Sequence, residues 1–128
     1  MDKTALVETD IEDGKKLVEA LDKANFPVHS ALWFYLSESD EWRFIVASSL
    51  VDENGPKDAY TQIQRVLAKL SKPFGISLKN ISVVSPNDDL IQLLRITIST
   101  GPGISGIRFA RNTINNIFIE DSYLYRVQ

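Results

Sequence analysis

Apolar residues recur at helical spacing over 9–27, TDIEDGKKLVEALDKANFP, where Ile11, Leu17, Val18, Leu21 and Ala24 define one stripe. Thr9 and Glu12 have capping-box spacing, and Asp10 and Asp13 sit where the helix dipole favours negative charge. Glu12–Lys16 and Glu19–Lys23 are placed as i,i+4 pairs on the exposed side, and Asn25 and Pro27 end the element. The period then shortens to two. VHSALWFYLSE, residues 28–38, is apolar on both faces and predicts a central strand. After the polar SESDE, WRFIVASSL predicts its hairpin partner.

VDENGP interrupts the sheet, and Pro56 suits the first position of a helix over 56–72. Its buried stripe is Ala59, Ile63, Val66, Leu67 and Leu70. NISVVS predicts a third strand, SPNDD a capped turn with Ser85 as cap, and IQLLRITIST a fourth strand. The segment 107–118 fits either a helix or a hairpin. Its β-branched, aromatic and Asn-rich composition decides for the hairpin, with Asn115–Asn116 as a type I′ turn. A final strand carries Ile119, Tyr123, Tyr125 and Val127.

The resulting order, α-β-β-α-β-β-β-β, predicts a single α+β domain over 1–128, with two helices on one face of a mostly antiparallel sheet. Two helices would leave sheet surface open. Trp33, Tyr35, Trp42 and Phe44 are then expected on a dimer interface or in a binding groove.

Composition narrows the chemistry. The 128 residues are 44% hydrophobic and 24% charged, ordinary for a soluble domain. With no cysteine there is no disulfide, thiolate metal site or thiol nucleophile. No apolar run approaches the roughly 20 residues that span a bilayer. The acidic start MDKTALVETDIEDG lacks the apolar core of a signal peptide, so a cytoplasmic protein without membrane contact is expected. The net charge of −3 is split: residues 1–64 carry 6 basic and 13 acidic side chains, residues 65–128 carry 8 and 4. Such asymmetry arises from solvated faces or from a basic half that meets an anion. The overall acidity disfavours a duplex-DNA binder.

One site-like motif stands out. TGPGISG holds a G-x-G-x-x-G at Gly101, Gly103 and Gly106. A dinucleotide loop needs a helix behind it and a βαβ array around it, yet the motif lies near the C-terminus and precedes strand-like sequence. Pro102 also removes one N–H. The motif reads instead as a loop between antiparallel strands, with glycines at positive φ. A small anion nest formed with Arg108 and Arg111 is the residual functional reading.

His29, the only histidine, cannot form a His–His metal pair. A triad whose members meet in space stays open, though no nucleophile elbow marks a serine. Asp88–Asp89 suit a helix first turn, and Glu120–Asp121 point to opposite faces of a strand. Asp121 alternates with apolar residues and is expected to be buried and paired with Arg95, Arg108 or Arg126. No catalytic, metal or cofactor-binding residue is assigned, and no cofactor is implied. SALWFYLSESDEWRFIVASSLVDENGP and NTINNIFIEDSYLYR resemble segments of short uncharacterised bacterial proteins. That resemblance implies a prokaryotic cytoplasmic origin and no chemistry.

Two functions follow as expectations. The first is a non-enzymatic domain that associates with itself, as a homodimer, or with a protein partner. The second is a protein that binds, or binds and hydrolyses, phosphorylated ligands or single-stranded RNA. It would use Arg108, Arg111, Arg126 and Asp121, with Trp33 or Tyr35 for stacking. Nucleic acid is the less favoured partner. An enzyme would need His29, Glu120 and Asp121 in one pocket.

Overall fold

In the computed structural model, which describes residues 5–128, helix α1 spans Glu8–Lys23 and is followed by strands β1 (Ser30–Leu36) and β2 (Glu41–Ala47). Helices α2 (Ser49–Asn54) and α3 (Pro56–Lys69) lead to β3 (Ile81–Val84), then α4 (Asp89–Thr97). The chain ends in β4 (Ile107–Arg108), β5 (Asn112–Ile114), β6 (Ile117–Ile119) and β7 (Ser122–Val127). Five strands form one sheet in the order β3-β2-β1-β7-β4, parallel only between β2 and β3. The fold is α+β, with α1 and α3 on one face of a mostly antiparallel sheet, as the hydrophobic pattern implied.

Each sheet face has its own core. Leu17, Val18 and Leu21 of α1 and Ala59, Ile63, Val66 and Leu67 of α3 pack on Ala31, Trp33, Trp42, Phe44, Val46, Ile81 and Val83. Full burial of one such aliphatic side chain is worth about 1.5–3 kcal/mol, so these stripes dominate helix docking. Trp33 and Phe44 meet edge-to-face at 5.2 Å. The aromatics expected on an open surface are therefore core residues of this layer, Tyr35 alone being half-buried at the strand end.

The second face is covered too. Leu32, Ile45, Ala47, Leu124 and Val127 pack against Ile91 and Leu94 of α4 and against Ile114 and Ile119 of the β5–β6 hairpin. Here the structure corrects the sequence reading: IQLLRITIST is mainly helix, not strand. Asp88 caps it by accepting from the Leu90 N–H at 3.1 Å. A 3.6-residue period brings Ile91 and Leu94 together, and the apolar sheet face beneath outweighs the β-branched composition. VDENGP likewise lies largely in a short helix, α2, capped by Ser48.

Local details differ in smaller ways. The α1 cap is Val7, whose N–H donates to Asp10 at 3.0 Å, so the Thr9–Glu12 box is not used. Neither Glu12–Lys16 nor Glu19–Lys23 forms an ion pair among the described residues. Asn115 (φ 48°) and Asn116 (φ 66°) make the expected type I′ turn. The Tyr60 hydroxyl caps the outer edge of β3, accepting from the Val83 N–H at 3.0 Å and donating to the Ile81 carbonyl at 3.5 Å. That side chain blocks edge-to-edge strand pairing there.

Candidate functional site

The glycine motif resolves as structure. Its loop joins α4 to β4 rather than two strands, and Gly55 is the only described glycine with positive φ. Ser105 N–H donates to the Tyr125 carbonyl at 2.7 Å, and Arg126 Nε donates to the Gly103 carbonyl at 3.1 Å. The loop is stitched to β7 instead of forming a nest. Gly106 alone is sterically required, because a Cβ there would meet the Tyr123 hydroxyl at 2.5 Å.

The named candidates separate into two groups. Trp33 is 2% exposed and donates from Nε1 to the Asp10 carbonyl at 3.1 Å, so it offers no stacking surface. Arg126 is 4% exposed. It binds both carboxylate oxygens of Asp22 at 2.8 and 3.0 Å and donates to the Val28 carbonyl at 3.2 Å. Both residues are internal braces, a correction to their assignment as ligand-binding groups. His29 sits at the start of β1, its Nδ1 2.9 Å from Ser30 Oγ. Glu120 and Asp121 lie beyond the opposite end of that strand, where the Asp121 carbonyl accepts from the Tyr35 N–H at 3.1 Å. Six residue steps of about 3.4 Å each separate His29 from Tyr35, so the enzyme constellation does not assemble. Among the described residues, no group of three or more His, Asp or Glu side chains is placed to hold a metal ion.

The second group does converge. Tyr35, Trp42, Ala110, Arg111, Phe118, Glu120 and Asp121 line a cleft of about 450 Å³ between the β1–β2 turn and the β5–β6 hairpin. Asp121 is half-exposed rather than buried, and it is paired as expected: Arg108 Nε and Nη2 meet its two oxygens at 2.7 and 2.6 Å. The Arg108 guanidinium also lies 5.9 Å from the centre of the Trp42 ring. Tyr35 donates to Asp40, and that bond, with lesser contributions from burial and nearby carboxylates, pushes its hydroxyl up to about 12. The Arg111 side chain has no partner among the described residues.

A larger concavity escaped the sequence reading. A groove of about 940 Å³ runs between α1 and α3, with Ser71, Pro73 and Phe74 of the 71–75 loop also in its lining. Asp13 anchors that loop by accepting from the Gly75 N–H at 2.9 Å. Ala20, Phe26, Val66, Leu70 and Phe74 form an apolar floor. Lys16 and Lys23 of α1 face Arg65 and Lys69 of α3 across it, with Glu19 and Asp13 the acidic members. None of the four cations is in an ion pair among the described residues. The available signal was helical spacing: 16 and 23 lie two turns apart and 65 and 69 one turn apart, each beside an apolar stripe. The opposition of the two pairs is set by tertiary packing. It also cuts across the charge-split halves, since Lys16 and Lys23 belong to the acidic half.

Fold and concavities together define an α+β protein with a basic-rimmed interhelical groove and a separate aromatic cleft. No helix among the described residues is long and apolar enough to cross a membrane. Compared with protein-family models, curated proteins and solved structures, the chain matches none at a significant level.

Proposed function

We propose that this chain is a non-enzymatic docking module that holds an acidic, amphipathic helix of a partner protein in the α1/α3 groove. The observation that carries the reading is an apolar floor bordered on both sides by cations without internal partners. An amphipathic helix lays its apolar face into such a groove, and acidic residues flanking that face meet the rim. The charges contribute mainly to partner choice and association rate, while the floor contributes affinity.

Self-association through this groove is the weaker form of the reading. A two-fold dimer would use the same patch twice and bring Lys16, Lys23, Arg65 and Lys69 toward their own copies. The test titrates the full chain with a synthetic Glu-rich amphipathic helix and with its Lys-rich counterpart, following amide shifts along α1 and α3. The acidic helix should perturb the groove and lose at least tenfold in affinity against R65E/K69E, while the basic helix should not bind. Equal binding of both helices, or none at millimolar concentration, overturns the reading. Light scattering on the free chain distinguishes a second copy from a foreign partner.

A further inference from the structure

Three features that a fold normally avoids meet at the cleft between the β1–β2 turn and the β5–β6 hairpin. Arg111 adopts φ 47°, a left-handed backbone conformation in which a residue with a Cβ is strained. Such strain persists only where the surroundings enforce it, and it concentrates at binding sites. Trp42 is 6% exposed, and its indole Nε1 is buried without any acceptor. Buried donors are nearly always satisfied, so an orphan donor in a residue that lines the cleft is unusual. Phe118 is 59% exposed on the same cleft, although it flanks the buried Ile119. Around these stand Glu120, whose carboxylate has no hydrogen bond or ion pair among the described residues, and the half-exposed ring of Tyr35.

We infer that this cleft is a binding site for a single nucleotide, its base against Phe118 and Tyr35 and its phosphate on Arg111. The inference is independent of the interhelical groove. The exposed groups of the cleft have partners in that ligand. A base supplies a planar face for the aromatic side chains, and stacking of this kind tolerates any base. Trp42 lines the wall beside it, and the exocyclic amine of adenine, guanine or cytosine donates to Glu120. The phosphate meets the guanidinium of Arg111, a residue type suited to phosphate. Arg108 stays committed to Asp121 and Trp42, so it buttresses the wall without contacting ligand. The carboxylates of Glu120 and Asp121 repel a bare anion, which makes the base obligatory for recognition.

The same chemistry arises from a free nucleoside monophosphate or from one unstacked nucleotide of a single RNA strand, and the experiment separates them. Full-length chain labelled with ¹⁵N is titrated with the four nucleoside 5′-monophosphates, a hexaribonucleotide and inorganic phosphate. The Trp42 indole N–H resonance should move, while that of Trp33, already bonded to the Asp10 carbonyl, stays in place as an internal reference. R111G, which removes the cation and relaxes the backbone, should lose at least tenfold in affinity with no loss of thermal stability. F118A, at an exposed position, should lose a similar factor. Binding by monophosphates that the hexamer does not improve identifies a free nucleotide, and binding by the hexamer alone identifies a strand. Inorganic phosphate matching the nucleotides, affinity unchanged in R111G, or an unmoved Trp42 resonance at millimolar nucleotide overturns the assignment.

Discussion

Gly14 lies against the Tyr125 ring so closely that a methyl group there would overlap the hydroxyl and the ring edge. The hydroxyl itself donates to the Ile11 carbonyl at 2.7 Å, in the first turn of the same helix. A glycine in the middle of α1, unfavourable to the helix by roughly 1 kcal/mol, is thus the opening that lets the last strand hold the first helix. Burial pushes the Tyr125 hydroxyl well above its ordinary range, so it keeps the proton it donates through the neutral range.

G14A should therefore destabilise the protein despite its better helix propensity. Overlap in a packed core typically costs about 1–3 kcal/mol, and a net loss of about 2 kcal/mol is expected in urea melts. Y125F alone should cost about 1 kcal/mol through the lost hydrogen bond. The double variant should be less destabilised than the two single effects combined, because Phe removes the hydroxyl, the nearest group the new methyl meets, while the ring edge remains. Strict additivity would show that the contact is not what confines position 14.

The Arg126–Asp22 pair should respond asymmetrically. The Asp22 side chain is 40% exposed whereas that of Arg126 is 5% exposed, so removing the carboxylate strands a buried cation. D22A should cost about 3 kcal/mol. R126M keeps most of the apolar volume and leaves Asp22 to water, and it should cost less than D22A. Equal losses from the two variants would place the energy in side-chain packing instead of charge.

R111G should raise thermal stability. Relief of a left-handed Cβ gains about 1–2 kcal/mol, and glycine's greater unfolded freedom returns about 0.5–1 kcal/mol. A gain of about 0.5 kcal/mol, seen as a rise of about 2 °C in Tm, is expected for a domain of this size. No rise would indicate that the Arg111 side chain stabilises the fold through its own contacts.

His29 carries a pH signature. Burial first, and then the nearby Arg95 guanidinium, hold its pKa below the ordinary value of 6.5. The unfolded chain then takes up a proton before the folded one does. The His29 contribution is complete above about pH 6.5 and is lost as pH falls toward the depressed folded value. Urea midpoints should fall between about pH 7.5 and pH 5, and H29Q should flatten that part of the profile. An unchanged slope in H29Q would assign the effect to carboxylates.

What the sequence by itself determined is local. The Asn115–Asn116 turn was legible because two residues tolerant of positive φ sit between paired strands. The α1 and α3 stripes and the β1–β2 hairpin were legible because period alone distinguishes 3.6 from 2. The Asp121 ion pair was foreseen for its charge, with Arg108 among the candidate partners.

Tertiary structure decided whatever depended on the opposite side of a contact. Residues 91–97 carry β-branched residues that favour a strand, yet Leu32, Ile45 and Leu124 offered an apolar face that only a helix or hairpin could cover. Trp33 and Arg126 looked like ligand groups because their composition says nothing of burial; packing turned one into a brace for the Asp10 carbonyl and the other into a buried ion pair. The groove depends on two helices separated by a hairpin in sequence, and the cleft on a turn and a hairpin from opposite ends of the chain. Hydrophobic period is a property of a few consecutive residues, whereas a concavity is a property of elements whose separation along the chain leaves no pattern in it.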